Sequence, residues 1–240
     1  MKERLAKVLA HAGIASRRAA ERMIEEGRVS VNGEMILNIP TLVDASKDKI
    51  EVDGRKLKFE DECYVAFHKP RGVECTLKPS KKTKTIPDYL PEKLGRIYPV
   101  GRLDKESTGL LLMTNNGELA NLLIHPRYKV KKIYQVDVKG PFNPRDLQRL
   151  QKGIQLEEGK TLPCHVELQH SDPKSSSLRF ELQEGKKRQI RRMLTATGYD
   201  VRRLKRVKVG PISLGRLKTG EWRFLRPDEI KELKSFVKQK

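Results

Sequence analysis

The sequence predicts an α+β protein in two parts: a small helical and β N-terminal domain over residues 1–60, then a mostly antiparallel mixed-sheet domain over residues 61–240. Three observations carry this. Helical spacing of apolar residues comes early and is brief, in two stretches before Gly27. Beyond residue 60, short β-rich runs outnumber helical ones, and hairpin signals stand where a doubly wound fold would show regular crossover helices. The charge divides at the same place: residues 1–60 hold 12 basic and 10 acidic side chains, residues 61–240 hold 39 and 21.

In residues 3–12, Leu5, Val8, Leu9 and Ala12 share one helical face, and Gly13 suits the C-terminal cap. Ser16 can cap a second helix from Arg17 to Glu26, with Ala20, Met23 and Ile24 inward and Gly27 ending it. Val29–Glu34 reads as a strand reaching an Asn32-Gly33 hairpin turn, and Asp53-Gly54 supplies a second such turn.

From residue 63 the predicted strands are Cys63–Lys69, Ile97–Val100, Gly109–Thr114, Ile133–Lys139, Cys164–His170, Ser177–Leu182 and Arg206–Val209. Helices are predicted at Gly117–Leu123, Pro144–Gln151 and Lys187–Thr197. Asn143 caps the second of these, and Pro144 fits its first turn because the missing donor is unneeded there. Asp172–Ser176 is a polar loop without evident function, and the Lys-rich C-terminus is expected to fray.

With 51 Lys and Arg against 31 Asp and Glu, the net charge is +20, an excess that marks a polyanionic partner. Residues 186–208 alone carry ten Lys or Arg and a single acid, Asp200. Three cysteines, Cys63, Cys75 and Cys164, form no C-x-x-C and point to free thiols in a reducing compartment. The five histidines lack metal-ligand spacing, and no metal is expected. No leader precedes the first charges and no apolar run approaches the ~18 residues of a membrane span. A soluble, cytoplasmic protein is expected, acting as a monomer.

The most telling stretch is Gly101-Arg102-Leu103-Asp104-Lys105-Glu106-Ser107-Thr108-Gly109, running into Leu110-Leu111-Leu112-Met113-Thr114-Asn115-Asn116-Gly117. It sets one carboxylate, Asp104, on a short loop before an apolar strand, with glycines at 101 and 109 allowing tight turns around it. His68 and His125, beside prolines, read as packing or capping residues rather than acid/base groups. Glu106 is too close in sequence to Asp104 for a useful carboxylate pair.

The run from Gly101 to Pro126 resembles the second motif of the RsuA/RluB-type ribosomal RNA pseudouridine synthases. Lys69-Pro70-Arg71-Gly72-Val73 resembles the family's K-P-x-G segment. Lys132-Ile133-Tyr134-Gln135-Val136 is similar to its tyrosine strand, and Glu184–Leu194 to its third motif, followed by Arg203–Val207 and Gly210-Pro211-Ile212. Residues 1–60 resemble the RNA-binding α-L module of a small-subunit ribosomal protein, with Arg4, Lys7, Arg17, Arg18 and Arg22 as its phosphate-facing side.

The resemblance implies a pseudouridine synthase domain that isomerises uridine in ribosomal RNA, free or in an assembly intermediate. The reaction needs no cofactor, and the chain shows no G-x-G-x-x-G, P-loop or carboxylate cluster. It implies Asp104 as the reacting carboxylate, either nucleophile on the sugar or base removing a ribose proton. Tyr134 would stack on the flipped uracil, and Arg191 would pair with Asp104, with Arg188 the alternative. Arg102 would hold the RNA backbone or fill the gap left by the flipped nucleotide, and Leu204 would wall the pocket. Lys186, Lys187, Arg188 and Arg192 would bind phosphate.

The third motif, continuing into Lys208–Ile212 and Gly220-Glu221-Trp222-Arg223, is closer to the large-subunit (RluB) type than to the small-subunit (RsuA) type. Two other classes stay in view. A non-catalytic rRNA-binding assembly factor would have no reason to keep an acid inside a basic surface. A metal-dependent RNA hydrolase would need clustered carboxylates or histidines.

Overall fold

A computed structural model describes residues 2–238, which divide into two compact units: residues 2–63 with 115–117, and residues 64–114 with 118–238.

In the first unit, α1 (Leu5–His11) and α2 (Arg17–Glu25) precede a four-stranded sheet. Its strands β1 (Val29–Val31), β2 (Glu34–Met35), β3 (Ile50–Val52) and β4 (Arg55–Lys56) lie in the order β2-β1-β3-β4. The helix starts and stops follow the local chemistry. Ser16 accepts from the Ala19 amide at 3.2 Å, and Gly27 takes a positive φ just past α2. Both hairpins turn on an Asn-Gly or Asp-Gly pair with positive φ at each residue. Leu5, Val8, Leu9, Ala20, Ile24, Val29 and Ile50 form the buried core.

The second unit is built on one large mixed sheet. Its main strands are β5 (Tyr64–Lys69), β6 (Thr108–Thr114), β7 (Lys132–Lys139), β8 (His165–Ser171), β9 (Ser175–Leu182), β10 (Val201–Val209) and β11 (Trp222–Phe224). They run in the order β8-β9-β7-β10-β6-β5-β11. Every pairing along this path is antiparallel except β10 with β6. The helices are α3 (Gly117–Ile124), α4 (Pro144–Lys152), α5 (Gln189–Ala196) and α6 (Pro227–Lys238). Tyr64, Ala66, Leu110 and Leu112 on β5 and β6 pack with Leu119, Leu123, Val209, Ile212 and Leu233 in one core cluster.

Four sequence expectations need correction. Residues 97–100 supply only the two-residue strand Tyr98–Pro99. Strand β10 starts at Val201 rather than Arg206, because pairing with β7 extends over Val201, Arg203, Leu204 and Lys205, and the charges of Arg203 and Lys205 hide the strand pattern. Helix α5 starts at Gln189 rather than Lys187, because Arg188 adopts a left-handed conformation at its N-cap. The C-terminus is helical through Lys238 where fraying is expected: Leu233 is buried, and Ile230 and Phe236 pack on the core. Only residues 239–240 of that tail lie outside the described residues. The loop at Asp172 is a hairpin turn between β8 and β9, its carboxylate accepting from the Lys174 and Ser175 amides.

Candidate active site

Asp104 sits on the loop leading into β6, partly exposed, between the buried Leu103 and the buried Ser107. The Ser107 amide donates to the Asp104 carbonyl at 3.0 Å and closes the turn. Gly101 before it has a φ of +75°, as the sequence suggests for a tight entry.

Two segments distant in sequence grip this loop. From one side comes Lys69-Pro70-Arg71-Gly72-Val73. The Gly72 amide donates to the Lys105 carbonyl at 2.8 Å. The fully buried Lys69 ammonium donates to the carbonyls of Pro70 at 2.9 Å, Val73 at 2.8 Å and Lys105 at 3.4 Å. Burial brings Lys69 down to about 8, while the charges of Asp104 and Glu106 pull it back up. The Cys75 thiol, raised by burial, lies against the Leu103 amide.

From the other side comes the start of α5. Arg191 donates to the Glu106 carbonyl at 3.2 Å and to the Val201 carbonyl at 3.3 Å. Arg188 donates to the Glu106 carboxylate at 2.8 Å and holds that carboxyl below its usual range. Burial lowers Arg191 from its ordinary value, partly offset by the charges of Glu106 and Asp104.

Asp104 itself forms no ion pair among the described residues. The structure thus brings Arg191 to the Asp104 loop, but onto the Glu106 carbonyl rather than the Asp104 carboxylate. Among the described residues, three buried side-chain donors lack a partner: Ser107 Oγ, Arg191 Nε and Arg206 Nη2. Ser107 belongs to this loop and Arg191 bonds to it, so two of the three flank Asp104. Unmet buried donors are costly and suit a site that receives acceptors from a ligand.

Tyr134 lies on β7, almost fully buried, with Phe180 opposite on one side and Arg206 on the other. The register continues from Arg206 to Gly109 and from Gly109 to Lys69. One row across five strands therefore joins the tyrosine strand, the basic strand, the Asp104 segment and the K-P-x-G segment. Leu204 is buried two residues before Arg206 and accepts from the Thr108 hydroxyl at 3.4 Å.

Residues 63–196 match the RNA pseudouridylate synthase family, and residues 3–50 match the S4 domain. The chain belongs to the RNA pseudouridylate synthase family. It is 45% identical over 237 residues to a ribosomal large subunit pseudouridine synthase B of Bacillus subtilis, covering 98% of this chain and 97% of that protein. A protein of the same description from Yersinia pestis is 38% identical, over 92% of this chain and 72% of the other. A solved pseudouridylate synthase superimposes with a TM-score of 0.70 at 28% identity, covering 96% of this chain and 99% of the other.

Within this synthase the remaining expected site residues fall into two groups. Arg102, Lys187 and Arg188 are exposed beside the Asp104 loop or at the start of α5. Lys186 and Arg192 are committed to internal partners. The Lys186 ammonium donates to the Gly159 and Lys160 carbonyls, at 3.3 and 2.9 Å, and Arg192 forms a two-point pair with Glu158. In the N-terminal unit Arg4, Arg17, Arg18 and Arg22 are exposed, whereas Lys7 is half-buried and paired with Glu3.

Three residues that build this candidate site are not legible in the sequence. Glu106, no carboxylate partner for Asp104, joins the loop to Arg188 at the N-cap of α5 and to Arg191 within it. Lys69 is the ammonium under the loop. Gln189, buried at the start of α5, accepts from the Lys186 amide at 3.0 Å and donates to Glu184 at 2.6 Å, fixing the turn that presents Arg188. A Gln among basic residues gives no hint of burial; its partners had to be seen. His68 and His125 behave as expected: His68 is buried on β5 against the Leu217 carbonyl, and His125 caps the short helix Pro126–Tyr128.

Proposed function

We propose that this chain converts uridine to pseudouridine in ribosomal RNA, with large-subunit 23S rRNA as its target. The reading is supported by the Asp104 loop, gripped on one side by Lys69–Val73 and on the other by Arg188 and Arg191. The relatives described as large-subunit synthases, matched nearly end to end in one case, favour 23S over 16S rRNA.

The reaction changes no atom count. The C1′–N1 glycosidic bond breaks, the uracil turns, a C1′–C5 bond forms, C5 loses its proton and N1 gains one. No electron carrier or donor of groups is needed, and none is proposed. Asp104 acts on the ribose, either adding to it or removing a proton from it. Both roles require a carboxylate that is fixed in place, and a loop held by four hydrogen bonds from outside it supplies that. Tyr134 stacks on the extruded uracil, and Leu204 closes the pocket beside it. Arg191 supplies positive charge at the Asp104 loop, and on substrate binding its free Nε gains an acceptor.

Drawing the uridine out of its stack costs a few kcal/mol, which phosphate contacts offset. Arg102, Lys187 and Arg188 make those contacts near the reacting nucleotide. Arg4, Arg17, Arg18 and Arg22 make them from residues 1–60, which act as a separate RNA-binding domain ahead of the catalytic residues 61–240. The enzyme works as a monomer in the cytoplasm on rRNA or an assembling subunit.

The test is release of tritium from a 23S rRNA transcript labelled at uridine C5, together with mapping of pseudouridine in rRNA from a strain lacking the gene. Tritium released from 23S and not 16S transcript, at a site that is unmodified in the deletion strain, is expected. Release from 16S alone would reassign the target, and release from neither would refute the activity.

A further inference from the structure

Arg188 is presented in a way that chain sterics oppose. Its φ of 52° and ψ of 30° lie in the left-handed region, which side-chain-bearing residues rarely adopt. The strain is held by the turn and not by Arg188's own partner. Gln189 pins both sides of the turn through Lys186 and Glu184, and the Arg192 amide returns to the Arg188 carbonyl at 3.0 Å. The result is an exposed guanidinium at the head of a segment with ten cations and one acid, beside the loop of Asp104.

Among the described residues, one anion meets that guanidinium: the Glu106 carboxylate, 2.8 Å away, with both side chains about 40% exposed (42% and 43%). Through its carbonyl the same residue also holds Arg191. A carboxylate offered to a solvent-facing arginine at the edge of an RNA site has the charge and acceptor geometry of a backbone phosphate.

We propose that Glu106 is a positioning residue that stands in for an RNA phosphate: it occupies Arg188 in the free enzyme and gives it up when the substrate strand arrives. This rests on the reading that the Asp104 side of the catalytic unit receives the RNA. Binding then exchanges one ion pair for another, and the displaced carboxylate is left beside a phosphate, so wild-type affinity is held below what Arg188 could deliver. Because Gln189 and not Glu106 sets the backbone, removing the carboxylate frees Arg188 without unfolding its turn.

The test is filter binding of the full-length chain to a 23S rRNA transcript and to poly(A), at low and at high salt. Glu106→Gln should bind both RNAs about two- to fivefold more tightly at low salt, the worth of a half-exposed ion pair, and the gain should shrink at high salt. Glu106→Asp, which keeps the charge, should stay close to wild type. In an Arg188→Ala background, Glu106→Gln should bring no gain. Mere structural damage would weaken binding, so tightening is the decisive readout. Unchanged or weaker binding by Glu106→Gln, or an equal gain without Arg188, overturns the proposal. Tritium release by wild type and by Asp104→Asn, run alongside, tests the underlying reading separately: if Asp104→Asn still reacts, that reading fails whatever Glu106 does.

Discussion

A Cβ built on Gly109 would lie 2.2 Å from the carbonyl oxygen of Arg206 and 2.6 Å from its amide nitrogen. Gly109 also has a φ of +109°. Both facts come from the parallel contact of β6 with β10, where Gly109 is the register partner of Arg206. That contact carries the structure of the site. It brings the strand that follows Asp104 against the strand holding Leu204 and Arg206, and the Arg206 side chain then reaches over to donate to the Leu110 carbonyl at 2.8 Å.

Gly109→Ala should therefore be among the most damaging single changes in the chain. The added methyl meets backbone, which cannot rotate away, and the φ is one that alanine avoids. A loss of at least about 3 kcal/mol is expected in urea unfolding, with activity lost from the fraction that stays folded. A variant as stable and active as wild type would show that β6 and β10 do not approach this closely.

Asp104→Asn keeps the size and most hydrogen-bonding capacity of the side chain and removes its charge. No ion pair among the described residues depends on that carboxylate, so folding and RNA affinity should change little. The single-turnover rate should fall at least about a thousandfold, as expected on removal of an essential reacting group. Residual turnover above that level would remove Asp104 from the chemistry.

Buried Lys69 makes a prediction in pH. Its ammonium is held at about 8 by burial, below an unfolded lysine at about 10.4. Between these values the unfolded chain binds the extra proton, so this group's contribution to stability grows as pH rises from 8 to about 10 and is lost as pH falls through 8. Lys69→Met leaves the Pro70 and Val73 carbonyls without their donor and should destabilise the chain at every pH. Measured by urea unfolding, the gap between wild type and Lys69→Met should widen from pH 7.5 to pH 9.5. A gap that is constant across that range would mean that Lys69 keeps its proton.

Much of the geometry of this candidate site is legible in the sequence, and the reasons for the rest are physical. Asp104 stood out because glycines bracket it and an apolar strand follows, and both signals are local. The core strands β5, β6, β7 and β9 lie within two residues of the ends their apolar pattern predicts, because those residues record burial directly. Strand β10 was half hidden, since Val201–Lys205 is rich in arginine and becomes a strand only through β7. Glu106 and Lys69 escaped because their meaning lies in partners far along the chain: Arg188 and Arg191 for one, the Lys105 carbonyl for the other. The sequence presents Gly109 as a turn residue, whereas its stronger constraint comes from Arg206.

The third-motif cations should separate by function when each is replaced by alanine. Arg191 is half-buried and ties Glu106 to Val201, so Arg191→Ala should slow single turnover at saturating enzyme by well over tenfold through loss of charge and placement at Asp104. Arg191→Lys, which keeps the charge but not the two-carbonyl grip, should recover only part of that rate. Lys187 is exposed, and Lys187→Ala should weaken binding and reduce the salt slope by about one unit with little effect once enzyme saturates. Lys186→Ala should behave as neither: its ammonium already serves the Gly159 and Lys160 carbonyls, so a modest loss of stability is expected. If Arg191→Ala is slow only below saturation while Arg188→Ala is slow throughout, the catalytic guanidinium is Arg188. If neither is slow at saturation, the positive charge that Asp104 works against comes from below the loop, where Lys69 lies.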